Sequence, residues 1–320
     1  MIFFTLTFKR LFESITTLIV ISFIIFSLAE LVPGDLAELN AGLEFDNEDK
    51  SVEEQIQAYR KQMGLDRNFI VRWFEWLVLA FQGDFGKSYL SERNILKDIG
   101  NALPISIELT FISVLISSII GIPIGLFSAF KPNGVFDQIR KILLITLSIP
   151  TFVIATLFVI YASEFIPSIF TSEFYLFKNN PILHFKSLIL PSITVSLAIM
   201  PMIAQMTRTT TVEVLNEPFI ITAKSKGTSD LRILYIHTLK ASIAPVITLI
   251  GLLFGSLVGG LIITESIFNI PGLGRMILNS IFLRDFQVAV AGTWIICGVY
   301  VFINLIVDLI YIILDPRQRF

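Results

Sequence analysis

Residues Ala241–Thr264 read ASIAPVITLIGLLFGSLVGGLIIT, a run of more than twenty residues without a charged side chain. At a rise of about 1.5 Å per residue, a helix of this length crosses the roughly 30 Å hydrocarbon core of a bilayer. A helix also pairs its backbone polar groups within the segment, as lipid requires. The stretch therefore predicts a membrane-spanning helix.

The same pattern recurs along the chain. Uncharged runs of similar length occupy Leu109–Phe130, Ile142–Ser163, Ser187–Thr207 and Phe286–Val307, and a shorter run occupies Ser14–Ala29. Only 16 % of the residues are charged, against about 25 % in soluble proteins. We therefore predict an all-α, polytopic membrane protein with about six transmembrane helices. The net charge of −2 gives no reason to expect a nucleic-acid partner.

Lysine and arginine are unevenly distributed among the loops that these spans would leave. Twelve lie on one side: Lys9, Arg10, Lys131, Arg140, Lys141, Arg208, Lys224, Lys226, Arg232, Lys240, Arg317 and Arg319. Four lie on the other: Lys178, Lys186, Arg275 and Arg284. Because short cytoplasmic loops carry the excess of basic residues, this asymmetry predicts that both termini are cytoplasmic.

The long segment between the first two spans, residues 32–103, would then face outward. Its apolar residues at three-and-four spacing predict two amphipathic helices interrupted at Gly64. The residues alone favour a small cap on the membrane domain, with a docking surface for an extracytoplasmic partner as the alternative. The chain thus divides into a tail and first helix at 1–31, this segment, and a five-helix core at 104–320 that contains a cytoplasmic hairpin at 213–242.

The sequence does not predict catalysis or metal binding. The two histidines, His184 and His237, fall on opposite sides of the predicted membrane, and no nucleophile–base pair or metal-ligand spacing is found. The segment GDFGKSY resembles the end of a phosphate-binding loop, but Phe81 stands where that loop needs glycine. We therefore expect no enzymatic activity, cofactor or metal in this chain.

Four carboxylates lie near the ends of uncharged runs: Glu108, Glu164, Glu265 and Asp308. A charge inside the membrane costs a few kcal/mol, so each of them needs an interfacial position or a partner. A proton relay would instead require carboxylates aligned at mid-membrane, where the runs contain none. We interpret the four as interfacial groups or hydrogen-bonded helix contacts, with their individual roles left open.

A short basic stretch, Ile221–Ser242, reads ITAKSKGTSDLRILYIHTLKAS and separates the fourth and fifth predicted spans. Pro218 suits the first turn of a helix, with Asn216 or Glu217 as its cap. Gly227 supplies the left-handed residue that ends this helix. The pattern predicts the first arm of a helical hairpin.

The second arm is predicted to be a helix from Leu231, capped by Thr228 or Ser229. Its expected apolar face is Leu231, Leu234, Tyr235 and Thr238. The residues leave two interpretations open: an amphipathic loop on anionic lipid, or a rigid knob that fits a groove on a cytoplasmic subunit. Ala223 and Gly227, four residues apart, would leave a smooth face for such a partner.

The stretch TAKSKGTSDLRILYIHTLKASIAPVIT resembles the signature loop of permease subunits in bacterial binding-protein-dependent ABC importers, with the dipeptide/oligopeptide/nickel permease family most similar. The resemblance extends over nearly the whole chain. It is carried by LVPGD at Leu31, GLD at Gly64, GDFGKSY at Gly83, LPISIELT at Leu103, SIP at Ser148, LP at Leu190, ESIFNIPGLGR at Glu265, RDF at Arg284 and NLIVDLIYIILDPR at Asn304. Within this family the chain resembles the first, "B-type", permease of a pair.

One departure concerns the importer signature, which reads Glu-Ala-Ala, three residues, then Gly. Here Ile221, Thr222, Ala223 and Gly227 occupy those places, so the first Glu is absent. The peptide-type branch also commonly lacks it, which favours that branch. Glu217 lies upstream and is not the signature residue.

The resemblance implies a division of labour. A homologous second permease subunit completes the pathway, two ABC ATPase subunits bind ATP and magnesium, and an extracytoplasmic solute-binding protein delivers the solute. The hairpin would contact the ATPase through Thr222, Ala223, Lys224, Lys226, Gly227 and His237. Residues 32–103 then become a docking region for the binding protein, with Tyr59, Trp73, Trp76 and Asp84 as candidates.

The resemblance also implies a multi-pass protein of the bacterial plasma membrane, in contact with lipid. Peptides are the first expected solute. Nickel or a metal chelate carried by the same machinery is the alternative. A third hypothesis, an ion-coupled carrier without an ATPase, would call for an inverted repeat and a mid-membrane carboxylate, and we find neither.

Overall fold

The structure is a computed structural model that describes residues 2–31, 54, 57, 60–61, 66–166 and 173–314. Within these residues the named elements are all helical, which confirms the predicted class. They are α1 (Ile2–Leu31), α2 (Phe69–Phe81), α3 (Ile95–Phe130), α4 (Val135–Thr146), α5 (Thr151–Phe165), α6 (Pro181–Leu215), α7 (Pro218–Ser225), α8 (Asp230–Arg232), a π-helical turn (Ile233–Thr238), α9 (Leu239–Gly260), α10 (Ile262–Ile267), α11 (Leu273–Phe282) and α12 (Phe286–Leu314).

Five helical bodies of the described chain are long and apolar enough to cross a membrane. They are Lys9–Leu31, Ile95–Phe130, Pro181–Leu215, Asp230–Gly260 and Phe286–Ile310. Half or more of the apolar window is buried in α3 and α6, at 50 % and 61 %, against 6 % in α1. The core therefore forms around α3 and α6, while α1 lies at the periphery.

The predicted span over Ile142–Ser163 is wrong as one straight helix. Its residues are divided between α4 and α5, which meet at an angle of 99°. Pro150 explains the break, because proline lacks the backbone donor that a helix interior needs and disfavours helical geometry at the preceding residue. Pro150 instead caps the start of α5. Only when both limbs are counted together does the described chain have six spans.

Close packing of α3 on α6 is permitted by glycine. A Cβ atom placed on Gly125 would overlap the carbonyl oxygen of Ala204 and lie 2.6 Å from Cβ of Thr207. One helical turn earlier, a Cβ on Gly121 would lie 3.1 Å from the carbonyl oxygen of Met200. The two backbones therefore approach more closely than side chains would allow.

The bundle has two ends. The hairpin end is where α3 and α6 finish, and the opposite end is where α1 finishes and α12 begins. At the hairpin end, Arg10 of α1 lies 3.3 Å from Asp308 of α12, which makes Asp308 a contact between helices. At the opposite end α3 begins at Ile95, so the boundary that we placed between residues 103 and 104 falls inside this helix.

A buried ion pair ties α4 to the core at the hairpin end. Arg140 lies 2.8 Å from Asp137, and both side chains are almost fully buried. Ser128 of α3 donates a hydrogen bond to Asp137 at 2.7 Å, and Arg140 donates to Gln205 of α6 at 2.6 Å. This pair leaves no signal in the sequence, because an amphipathic helix with a charge every few residues normally exposes its charged side chains.

Candidate functional site

The first arm of the hairpin is α7. Pro218 occupies its first turn and Glu217 is its cap, although the Glu217 side chain makes no capping hydrogen bond. Asn216, the alternative cap, instead ends α6, where its side-chain amide donates to the Val212 carbonyl at 2.9 Å. The prediction that a helix begins at Pro218 is correct.

The end of α7 is a Schellman motif. Gly227 has a φ of +74°, the left-handed conformation that the sequence predicts. The amide of Gly227 donates to the Lys224 carbonyl at 2.9 Å, and that of Thr228 donates to the Ala223 carbonyl at 3.2 Å. These two bonds satisfy the last carbonyls of the helix and fix the direction of the chain beyond it.

The second arm differs from the prediction. Ser229 caps it, without a side-chain hydrogen bond, and α8 continues through the π-helical turn into α9, so that Asp230–Gly260 forms one helical body. The hairpin is therefore a short helix followed by an extension of the next span. The predicted apolar face is correct in part: Leu234 and Thr238 are fully buried, but Leu231 and Tyr235 are exposed, and the neighbouring Ile233 is buried instead.

The candidate coupling residues divide by exposure. Thr222, Lys224, Lys226 and Gly227 are exposed, while Ala223 and His237 are half-buried. Ile220 is fully buried and anchors α7 on the bundle. A Cβ placed on Gly227 would have no atom within 4 Å. Most of the predicted contact surface therefore lies open at the end of the molecule, and His237 lies in the π-helical turn behind it.

The candidate docking residues of the outer segment are mostly turned inward. Trp73 donates a hydrogen bond to Ser22 of α1 at 3.1 Å, and Trp76 packs against Trp294 of α12 with ring centroids 6.0 Å apart. Both tryptophans are half-buried and pack within the chain, and their role in docking stays a prediction. Asp84 is exposed, and Tyr59 lies outside the described residues.

Of the remaining polar candidates, His184 and Glu108 form a hydrogen-bonded pair. His184 is buried, with Nε2 2.9 Å from a Glu108 carboxylate oxygen and Nδ1 2.7 Å from the Tyr175 carbonyl oxygen. Glu164 is exposed near the end of α5. Among the described residues, no group of three or more histidine, cysteine or carboxylate side chains could hold a metal ion.

A cavity of about 190 Å³ lies where α5, α6, α9 and α10 meet. Thr151, Val195, Leu257 and Thr264 are among the residues that line it. Sequence reasoning named no residue of this cavity, because its walls come from four helices whose contacts leave no local pattern. Its volume is below the range of about 300–1,000 Å³ typical of small-molecule sites.

Two family descriptions match this chain. "Binding-protein-dependent transport system inner membrane component" matches residues 121–320, and the N-terminal description of the same membrane components matches residues 1–110. The chain belongs to this family of inner membrane components. The resemblance found in the sequence is confirmed, and the hypothesis of an ion-coupled carrier is wrong.

Relatives match over almost the full length. A protein of Brucella abortus (strain 2308) named as a peptide transport system permease is 33 % identical over 314 residues, covering 98 % of each chain. The glutathione transport system permease protein GsiC of Salmonella choleraesuis (strain SC-B67) is 33 % identical over 313 residues, also covering 98 % of each.

A solved structure has a similar fold. It is a chain of the MetNI methionine ABC transporter in an inward-facing conformation, with a TM-score of 0.55 and 16 % identity. The match covers 68 % of this chain and 96 % of that one. The two chains share an ABC importer permease fold.

Proposed function

We propose that this chain is the B-type permease subunit of an ATP-driven importer and forms half of the translocation pathway for peptides. The support is near-complete alignment with relatives named for peptide and for glutathione transport. An extracytoplasmic binding protein delivers the solute, with the exposed Asp84 region as a docking candidate. The twelve-to-four distribution of basic residues supports cytoplasmic termini and a cytoplasmic hairpin.

The observation that carries the proposal is the geometry of α7. It is short, exposed and basic, and it connects α6 directly to the helical body Asp230–Gly260. A partner bound to α7 would therefore move the ends of α6 and of the helical body Asp230–Gly260 together. The Schellman turn at Gly227 fixes the direction in which the chain leaves α7 toward this helical body.

In this mechanism ATP and magnesium bind only to the partner ATPase subunits. Closure of the ATPase pair on ATP moves the two hairpins, and the bundles switch to the conformation that faces outward. This is a rigid-body change favoured by a ligand that binds one state better. This chain supplies the lever and the path, and it needs no cofactor of its own.

The cavity near Thr151 and Thr264 does not by itself provide a path for a peptide. At about 190 Å³ it is too small to enclose a peptide within one chain. A homologous second permease would supply the opposite wall. The solute would then pass between two subunits, each of which contributes part of the lining.

The test places a bulky charge on the hairpin. We expect Ala223→Glu and Gly227→Glu to insert normally in the membrane, because both positions lie at the end of the bundle, away from its core. Loss of the ATPase subunits on co-purification and loss of uptake should occur together. The measurements are membrane abundance, recovery of the ATPase and uptake of labelled peptide by the complete importer.

Matched variants separate docking from backbone strain. Gly227→Asn tolerates a positive φ and Gly227→Ala costs on the order of 1 kcal/mol, so both should retain the ATPase better than Gly227→Glu. Lys131→Glu places the same side chain at the same end but off the hairpin, and should import normally. ATPase recovery and import at the parental rate with both glutamate variants would refute the coupling role. Uptake of nickel but not of labelled peptide would refute the proposal that the solute is a peptide.

A further inference from the structure

Helix α2 exposes a face that is apolar apart from Glu75. The exposed fractions are 61 % for Ile70, 45 % for Val71, 59 % for Phe74, 42 % for Val78, 45 % for Leu79 and 51 % for Phe81. Surfaces in contact with water rarely carry so large a contiguous apolar patch. Something other than water should cover this face in the native setting.

The opposite face of α2 packs on α1 and α12. Trp73 lies edge-on to Phe23 with ring centroids 5.2 Å apart, and it bonds Ser22. Trp76 lies edge-on to Trp294, with ring centroids 6.0 Å apart. The helix is therefore held beside two membrane spans.

The depth of these contacts can be read along both spans. Glu13 and Glu30 bound the uncharged run of α1, and Ser22 lies eight residues from Glu30, about 12 Å along the helix. On α12, Trp294 lies nine residues from Asp285, again about 13 Å. Two independent helices thus place the contacts of α2 well inside the apolar layer.

The charged groups of α2 are compatible with that depth. Arg72 pairs with Glu30 at the end of α1. Glu75 is held by both terminal nitrogens of Arg67, at 2.6 and 2.8 Å. Each charge thus has an opposite charge beside it. Glu75 itself lies within the exposed face, between Val71 and Leu79, and Arg67 balances its charge there.

We propose that α2 is embedded in the leaflet that surrounds the outer half of α1, with acyl chains covering its exposed face. This is the outer leaflet in the orientation proposed above. A binding protein arriving from water would meet the residues above Glu30, whereas the α2 patch lies beside the apolar runs. Residues 66–81 thus become an additional, non-spanning contact with the membrane.

Spin-label accessibility tests this placement. In a Cys297→Ser background, Phe74→Cys and Val78→Cys are labelled with a nitroxide in the full chain reconstituted into phosphatidylcholine liposomes. Ile119→Cys, exposed on the middle of α3, serves as the lipid reference, and Lys87→Cys, on the exposed loop after α2, serves as the water reference. A high collision rate of the nitroxide with oxygen indicates that the label lies in lipid. A high collision rate with a water-soluble nickel chelate indicates that it lies in water.

At positions 74 and 78 we expect the ratio of oxygen to nickel-chelate collisions to match that at 119 and to exceed that at 87 several-fold. A ratio like that at 87 would place the face in water and overturn the proposal. Low collision with both reagents in the assembled importer would mean that a protein subunit covers the face, which also overturns it. None of these outcomes depends on whether the hairpin binds an ATPase.

Discussion

Glu265 is fully buried, and its neighbours explain why the chain retains it. One carboxylate oxygen accepts a hydrogen bond from the Ser106 hydroxyl at 2.5 Å, and the other accepts from the Arg275 amide at 2.8 Å. Arg275 lies in the first turn of α11, whose own cap, Gly272, has no side chain to offer. Glu265 therefore caps α11 from α10, as acidic groups at helix N-termini do.

The Glu265 carboxylate also explains why residue 272 is a glycine. A Cβ on Gly272 would overlap the Glu265 side chain, although the φ of this glycine is an ordinary −86°. Ser106 completes the network by accepting a hydrogen bond from the Leu273 amide at 2.8 Å. At this residue the hydrogen-bonded helix contact, one of the two interpretations left open by the sequence, is correct.

Removing the carboxylate should destabilise this end of the bundle. We expect Glu265→Ala to lower the thermal midpoint of the detergent-purified chain, because it leaves a buried hydroxyl and a buried amide unpaired, at about 1–3 kcal/mol each. Glu265→Gln keeps one acceptor oxygen and should lose less. A midpoint for Glu265→Ala equal to that of the parent would show that the network adds no stability.

At the scale of elements, the α3–α6 contact is a seam of small residues. The Ser196 hydroxyl donates to the Ser113 carbonyl at 2.9 Å, and the Ser117 hydroxyl donates to the Ser196 carbonyl at 3.2 Å. Gly121 and Gly125 continue the seam toward the hairpin end. In lipid, helices associate through close packing and such hydrogen bonds, since lipid tails remove the hydrophobic drive.

Replacing glycine by alanine should affect stability differently at two positions on α3. Gly100 is exposed, with no atom within 4 Å of an added Cβ, so Gly100→Ala should leave stability unchanged or raise it by up to about 1 kcal/mol. Gly125→Ala should lower it, since the added atom meets the backbone of α6. The thermal midpoints of the two purified variants test this predicted difference in stability. Equal midpoints would exclude close packing at Gly125.

For the whole molecule, the predicted sidedness can be measured directly. In a Cys297→Ser background, an impermeant thiol reagent added to intact cells should modify Lys87→Cys but not Ser225→Cys. Permeabilising the membrane should make position 225 reactive, because that residue is exposed on α7. Modification of position 225 from outside would invert the topology and remove the hairpin from the reach of a cytoplasmic ATPase.

Much of the fold was predictable because it follows from residues that are adjacent along the chain. Uncharged runs of spanning length mark helices because lipid leaves a backbone no other way to pair its polar groups. The break at Pro150 was not predicted, because proline alone is an ambiguous signal here: Pro104, Pro123, Pro191, Pro201 and Pro245 all lie inside helices. Which proline bends a membrane helix depends on whether its neighbours compensate for the missing donor.

By itself, the sequence determined the membrane class, the positions of the long spans and the Gly227 turn, because each follows from residues adjacent along the chain. Tertiary structure alone decided the depth of α2, the partners of Glu265 and the merging of the second hairpin arm with α9. Those features depend on contacts such as Trp76 with Trp294 and Ser106 with Glu265. Residues so far apart in sequence share no periodicity, so only the folded chain brings them together.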